Sequence, residues 1–448
     1  MTGLPRQLHL GAIIGGVGMT QNEWLHPDVP GDASVNIDWY IEATRRAEAA
    51  KFDFVFVVDS PFITPDTAPH FLNRLEPLTL LSALAVTTTH IGLAATLTTS
   101  YWEPYNVARQ FASLDLISHG RAGWNVVTTG LEGAAGNYGR EAHFDHAERY
   151  ARAREFVEVV KGLWDSYEDD TFPRDKTRGV FLNKSGQHRL DHKGKFFSVA
   201  GPLNIQRSRQ GQPVIFQAGD SSEGRALGAE IADATFVAAG DFDAALSYAQ
   251  DVKARAAALG RDPSKLLALP GISVVLADTD EAAQARESAR IGKLDFGKSL
   301  VELGRLFNYH DFRQYDPDAP FPDVSQLTLN SYKGMAERVV ARARAENLTL
   351  RQAAARFTTR RSAFVGAPLT VAAEIERWFN AGAIDGVILH SPNPDDFNRF
   401  INDVVPILQA RGLFRTEYSG RTLREHLGLR FPRNRYTAAA THEALAAE

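Results

Sequence analysis

The chain has 448 residues, 44% hydrophobic and 23% charged, with 49 basic against 54 acidic side chains and a formal net charge of -5. That balance fits a globular protein and gives no basic footprint for nucleic acid or an anionic membrane surface. There is no cysteine, which excludes disulfides, thiolate metal sites, iron–sulfur clusters and thiol nucleophiles together. No long apolar run marks a membrane span and no basic-then-apolar leader opens the chain, so a cytoplasmic location is expected.

Short apolar runs alternate with longer stretches of helical period, the pattern of βα units and a parallel sheet. The run Leu8 to Ile14 predicts a first strand, the Gly15-Gly16-Val17-Gly18 turn follows, and residues 39–50 set Ile41, Ala43, Ala47 and Ala50 at helical spacing. Phe52 to Val58 reads as a strand covered on both faces. Helix 77–88, strand 91–97, helix 105–117 and strand 122–127 repeat the unit. After a helix over 147–165, the polar Gly- and Lys-rich stretch 168–210 is too long for an ordinary connection and reads as an insertion.

Strands are expected again at 214–217, 234–237 and 272–275, with helices at 223–232, 242–259 and 280–291. A second irregular stretch, about 295–364, contains the Pro/Asp-rich segment 315–322, after which helix 369–379 and the strand Gly386 to His390 resume the pattern. Eight strands alternating with eight helices predict an α/β fold, a (β/α)8 TIM barrel with insertions. The expected organisation is one barrel domain over residues 1–430 and a tail, 431–448, that is either a packing arm or without fixed structure.

Ligands of such barrels gather where strands end, so the residues just after each strand carry the functional expectation. Here they are mostly hydroxyl, amide and aromatic: Asp59-Ser60-Pro61-Phe62, Thr96 to Trp102, Asn125 with Thr128 and Thr129, and Gln217-Ala218-Gly219-Asp220-Ser221-Ser222. The last of these precedes a helix. Gly219 permits close backbone approach, Ser221 and Ser222 offer hydroxyls, and the helix start is electropositive, a combination suited to a phosphate as well as to ordinary capping. Trp24, Phe62, Tyr101 and Trp102 could be core or could wall a flat pocket. The Gly15 to Gly18 turn lacks the third glycine and following helix of a dinucleotide site. His143-Phe144-Asp145-His146 lacks supporting metal ligands at other strand ends, so no metal is expected. Walker and Gly-x-Ser-x-Gly motifs are absent.

Several stretches resemble the bacterial luciferase-like flavin monooxygenases, within them the nitrilotriacetate, dibenzothiophene-sulfone and long-chain alkane monooxygenase group. They are Trp24-Leu25-His26-Pro27, Ala49 to Asp59, Glu103 to Arg109, Gly120 to Thr128, His146-Ala147-Glu148-Arg149-Tyr150, Ala218 to Ser222, Gly386-Val387, Val405 to Leu408, Arg411-Gly412 and Thr422 to Leu429. The resemblance implies FMN at the barrel mouth, reduced by a separate NAD(P)H-dependent flavin reductase. It implies Asp59, Thr96 or Thr98, and Asn125 beside the flavin ring, with His146, Tyr150, Gly219, Ser221 and Ser222 along the ribityl chain and phosphate. Ala147, where the family often has Asp, suggests a changed contact near the flavin tail; Leu25, where it has Arg, suggests a changed substrate pocket.

In that chemistry reduced FMN and O2 form a C4a-(hydro)peroxyflavin, and the protein binds the flavin, shields it and positions the substrate. The segment 294–321 is the expected lid, and His26 and His310 are the candidates for catalytic proton transfer. The implied activity is a two-component FMNH2-dependent monooxygenase acting on a small organic molecule, with sulfur- and nitrogen-containing ones foremost. Alternatives on the same fold are a deazaflavin-dependent oxidoreductase and a non-catalytic flavin-binding protein. Members of the family commonly pair as dimers, so a homodimer or higher homo-oligomer is expected.

Overall fold

The computed structural model describes residues 6–237, 240–292, 295–328, 333–358, 361–390 and 394–437. Leu294 of the expected lid and the tail beyond Thr437 lie outside the described residues. Strands β1 (His9–Ile13), β2 (Phe54–Val57), β3 (Gly92–Thr98), β4 (Ala122–Val127), β5 (Val214–Ala218) and β6 (Ala234–Phe236) lie side by side in chain order, all parallel.

β7 is split into Leu267–Ala268 and Gly271–Ile272. Pro270 between them has no N–H to give the ladder, yet its carbonyl accepts from Ile388 N at 2.9 Å while Leu269 N donates to Thr235 O at 2.9 Å. The stretch therefore joins β6 on one side to β8 (Gly386–Leu389) on the other, and β8 pairs with β1. The sheet thus curls into a closed parallel barrel.

The expected seventh strand, 272–275, is shifted by this arrangement. Only Ile272 belongs to the wall, whereas Val274–Leu276 pairs with Phe364–Gly366 in a separate parallel pair. The cause is Pro270, which interrupts the true wall strand and disguises the apolar run before it as loop. The helix expected at 280–291 forms as Asp280–Gly292 but belongs to the second insertion.

Helices α1 (Ile37–Ala49), α2 (Pro77–Ala85), α3 (Pro104–Ile117), α4 (His146–Trp164), α5 (Ser222–Ile231), α6 (Phe242–Ala258) and α7 (Pro368–Asn380) cover the barrel. Pro77, Pro104 and Pro368 open their helices where no intrahelical N–H is needed. The eighth helix covering the barrel is Pro394–Arg399 and Val405–Ala410 joined by a π turn, Phe400–Val404. No helix among the described residues is long and apolar enough to cross a membrane.

Outward residues such as Leu93, Ala95 and Leu97 join the layer between sheet and helices, while Phe54, Phe56, Ala94, Val214, Phe216 and Ile388 fill the barrel interior. Space for the rings comes from glycine: a Cβ on Gly11 would lie 2.4 Å from the Phe54 ring, and one on Gly123 2.7 Å from the Phe216 ring. The barrel floor is closed from the C-terminal segment. Leu423 and Leu427 sit in the interior cluster, and a Cβ on Gly92 would lie 2.5 Å from Leu423. Below them, fully buried Asp53 accepts from Leu10 N at 2.8 Å and pairs with His9 Nδ1 at 3.1 Å and with Arg415. Burial alone would raise the Asp53 pKa; Arg415 and His9 outweigh it and hold the carboxyl below its usual range.

The insertions differ in position. Residues 165–213 connect α4 to β5 at the barrel floor, and the arm at 431–437 packs there: Asn434 Nδ2 donates to Asp165 O at 3.0 Å and Tyr436 stacks on His188 at 4.1 Å. Residues 273–367 follow β7, at the mouth, and carry their own apolar cluster, including Leu303, Phe307, Phe312, Val339 and Leu350. Because Leu423 is fully buried and plugs the floor, Leu423→Ala is expected to lower the unfolding free energy by about 2–5 kcal/mol in urea titration. A change below about 1 kcal/mol would show that the floor does not depend on it.

Candidate active site at the barrel mouth

Side chains two apart on a strand share a face. Ala94 is in the interior cluster, so Thr96 and Thr98 both point inward at the upper end of β3. The choice between Thr96 and Thr98 that the resemblance leaves open therefore falls away, because residues two apart share the face. Gly123 faces the interior against Phe216, which puts Asn125 inward too. Asn125 Nδ2 donates to Thr96 Oγ1 at 3.0 Å, and the Thr129 hydroxyl donates to Thr98 Oγ1 at 2.6 Å. Asn125 is 3% exposed, and its Oδ1 is a buried acceptor with no partner among the described residues. Such an atom favours a ligand that brings an N–H or O–H to it.

Asp59 lies just past β2. Its Oδ1 accepts from Arg74 Nη2 at 2.5 Å, and the same nitrogen donates to Ser60 O at 2.8 Å. Burial raises the Asp59 pKa, with Arg74 opposing. Arg74, invisible to motif reading because it sits in an irregular stretch, is thus the residue that fixes Asp59 at the mouth.

His146 and Tyr150 begin α4, one turn apart, with ring centroids 4.9 Å from each other. Across from them Ser221 caps α5, its Oγ accepting from Gly224 N at 3.1 Å, and Ser222 is the first helical residue. Gly219 and Gly224 approach so closely that a Cβ on either would lie 2.8 Å from the other's Cα, and a Cβ on Gly224 would lie 3.2 Å from the Tyr150 hydroxyl. The loop is therefore tied to α4 as well as to its own helix. Burial first, then Arg149, lowers the His146 pKa.

The aromatic residues divide. Tyr101 stacks on Tyr138 at 4.5 Å, and Phe62 meets Tyr309 of the second insertion edge-on at 6.1 Å. Trp24 is exposed and Trp102 packs against the outer core, so neither walls the interior. His143 does not converge with His146 on a metal. Its Nε2–H donates to Thr129 O at 3.0 Å and its Nδ1 accepts from the Tyr101 hydroxyl. Burial, with Arg149 nearby, pushes the His143 pKa down to about 4.

His26 stands at the mouth, with Nδ1 accepting from Asp28 N at 3.3 Å and Nε2 3.4 Å from Asp395 Oδ2. His310 turns into the insertion, where Nε2 meets the Tyr315 hydroxyl at 3.0 Å. Its neighbours make the contacts across the mouth: Asn308 Oδ1 accepts from Glu132 N at 3.4 Å, and the Thr67 hydroxyl donates to Tyr309 Oη at 3.2 Å. Both Asn308 and Tyr309 have positive φ, 57° and 61°, a backbone form that costs energy in non-glycine residues. The sequence places Tyr309 in the expected lid but singles out His310 beside it, because no periodic signal tells which residue of an insertion tip faces the mouth.

A parallel barrel whose polar inward groups gather above a filled floor, with a helix start and paired hydroxyls to one side, sets its ligand-seeking groups where enzymes of the (β/α)8 class act. Residues 20–385 match the family described as luciferase-like monooxygenase. The chain is 45% identical to N-acetyl-S-(2-succino)cysteine monooxygenase of Bacillus subtilis (strain 168), covering 97% of this chain and 100% of that one. It is 41% identical to nitrilotriacetate monooxygenase component A of Aminobacter aminovorans, covering 96% and 98%. A solved structure of riboflavin lyase (RcaE), with modified FMN and the substrate riboflavin, is 30% identical with a TM-score of 0.84, covering 95% of this chain and 97% of that one. The chain belongs to the luciferase-like monooxygenase family, oxidoreductases that act with O2 and a reduced flavin.

His143 has a testable pH signature. Its folded pKa, about 4, lies below the ordinary histidine value of 6.5, so below 6.5 the unfolded chain takes up a proton that the folded chain refuses. Its stabilising contribution is present above about pH 6.5 and is lost as pH falls toward 4. Urea unfolding at successive pH values should therefore give a shallower acid slope for His143→Gln than for the wild type; equal slopes would contradict the assignment.

Proposed function

We propose that the chain is the oxygenating component of a two-component system. It uses FMN, reduced by a separate NAD(P)H-dependent flavin reductase, to oxygenate a small organic substrate in the cytoplasm. The observation that carries the reading is the unpartnered Asn125 Oδ1, an acceptor suited to the N–H edge of a flavin ring. Modified FMN in the riboflavin lyase structure supports the choice of flavin, and the name component A of the nitrilotriacetate relative supports a second component.

In this reading Thr96, Thr98 and Asn125 hold the ring, with Asp59 beside it. His146, Tyr150, Gly219, Ser221 and Ser222 hold the ribityl chain and phosphate. Reduced flavin, when bound, supplies the electrons that activate O2, one oxygen atom passing to the substrate and the other leaving as water. The chain's own work is to orient and to exclude water. The Asn125–Thr96 bond fixes the amide, Arg74 fixes Asp59, and the second insertion covers the mouth through Asn308 and Tyr309. His26 would move a proton at Nε2, since its Nδ1 is engaged by Asp28. His310, bonded to Tyr315, is retained only as a positioner of the insertion. A homodimer or higher homo-oligomer belongs to the same reading.

A thioether carboxylate is the first substrate to try, on the strength of the succinocysteine relative. Anaerobic titration should show tighter binding of reduced than of oxidised FMN. With a flavin reductase, NADH and S-(2-succino)cysteine derivatives, O2 uptake should then match product. Absence of binding by either form of FMN would overturn the cofactor reading; hydride transfer from a deazaflavin without O2 uptake would replace it. His26→Ala should still bind reduced FMN but release more hydrogen peroxide per product, and unchanged coupling would remove His26 from the mechanism.

A further inference from the structure

The first turn of α5 already holds a negative charge. Glu223 Oε1 lies 3.7 Å from Lys333 Nζ and 3.9 Å from His146 Nδ1. Its own backbone N–H is the main influence lowering the carboxyl pKa, against burial, with Lys333, His146 and the Ser221 hydroxyl adding to it. Those are the donors and cations that a phosphate monoester at a helix start would take. Glu223 is thus an internal anion where the cofactor reading puts an external one.

Lys333 comes from outside the barrel wall. It is the first residue of the helix Lys333–Ala345 in the second insertion. Its neighbour Gly334 lies directly on the loop, since a Cβ there would sit 3.2 Å from Ser221 N. Arg338 pairs with Asp220 Oδ2 at 2.6 Å, which fastens the same helix to the loop a little further along. The aliphatic face behind these contacts, Ala336, Val339 and Val340, belongs to the insertion's own core with Phe307 and Phe312. The insertion therefore meets the barrel at both ends: Lys333 and Arg338 on the phosphate side, Asn308 and Tyr309 on the substrate side.

The side chains of Lys333 and Glu223 are 27% and 40% exposed, so both have room to change partner. A phosphate carrying close to two negative charges and a carboxylate cannot share one set of donors without strong repulsion. We propose that Glu223 is an intramolecular stand-in for the phosphate of FMN, and that Lys333 is the insertion's contribution to phosphate binding, exchanging the carboxylate for the phosphate when the cofactor enters. The inference rests on the FMN reading above. It adds a competitor within the chain and a lysine from the lid-bearing insertion. Cofactor phosphate would then hold that insertion against the mouth.

The test is a pair of flavins that differ only in the phosphate. Oxidised FMN and riboflavin are titrated into the full chain by flavin fluorescence, for the wild type, Lys333→Met and Glu223→Gln. Methionine keeps the aliphatic stem, and a thermal melt checks each fold. Lys333→Met should weaken FMN about tenfold and leave riboflavin within about twofold. Glu223→Gln should tighten FMN about threefold or more with riboflavin unchanged. Lys333→Arg should restore most of the FMN affinity. Equal effects on both flavins, or none on FMN, would overturn the role of Lys333; FMN binding to Glu223→Gln that is unchanged or weaker would overturn the stand-in. A wild type that binds neither flavin, or riboflavin as tightly as FMN, would instead sink the underlying cofactor reading.

Discussion

The barrel is filled from below, and that constraint decides where chemistry can occur. Phe54, Phe56 and Phe216 occupy the interior, with Phe54 and Phe216 centroids 4.8 Å apart, and Leu423 rises between the strand starts to meet them. Asp53 ties this floor to His9 and Arg415. Polar inward groups are thereby excluded from the lower layers, because an unpaired polar atom there would cost the desolvation of that atom. They appear one level up, at Thr96, Thr98 and Asn125, where a ligand can complete their bonding.

The connections follow the same division. The insertion after α4 emerges at the floor and is used for packing with the C-terminal arm. The insertion after β7 emerges at the mouth and reaches the loops that follow β2, β4 and β5. Electrostatics sharpen the contrast within the mouth. His143 is kept neutral by burial and by the nearby Arg149, against the pull of its Thr129 hydrogen bond, Asp59 is raised by burial beside Arg74, and the α5 start attracts anions. A buried region with one paired carboxylate thus adjoins an anion-seeking one.

Much of this was legible in the sequence. The run Phe52 to Val58 announces a wall strand through sheer apolarity, and Gly219 to Ser222 announces an anion-seeking helix start through its composition. The motif Thr422 to Leu429 could be matched to a family but not explained, because its role depends on a contact with Gly92 that lies far away along the chain. Strand β7 was misplaced because Pro270 hides a pairing made by its own carbonyl on one side and by Leu269 N on the other. Arg74 and Lys333 carry no local signal at all. Their positions, Arg74 in an irregular segment and Lys333 at the start of an insertion helix, are set by tertiary packing that neither period nor motif encodes. His310 and Tyr309 show the same limit at finer scale: adjacent residues in a strained tip face different partners, and only the backbone angles decide which meets the mouth.

The most direct measurement is an experimental structure of the chain with FMN bound. The expected result is a phosphate against the backbone of Gly219, Ser221 and Ser222, and a ring whose N–H edge meets Asn125 Oδ1. A flavin seated elsewhere, or an Asn125 Oδ1 satisfied by the protein or by water with the ring out of reach, would contradict the assignment of the barrel mouth as the flavin site.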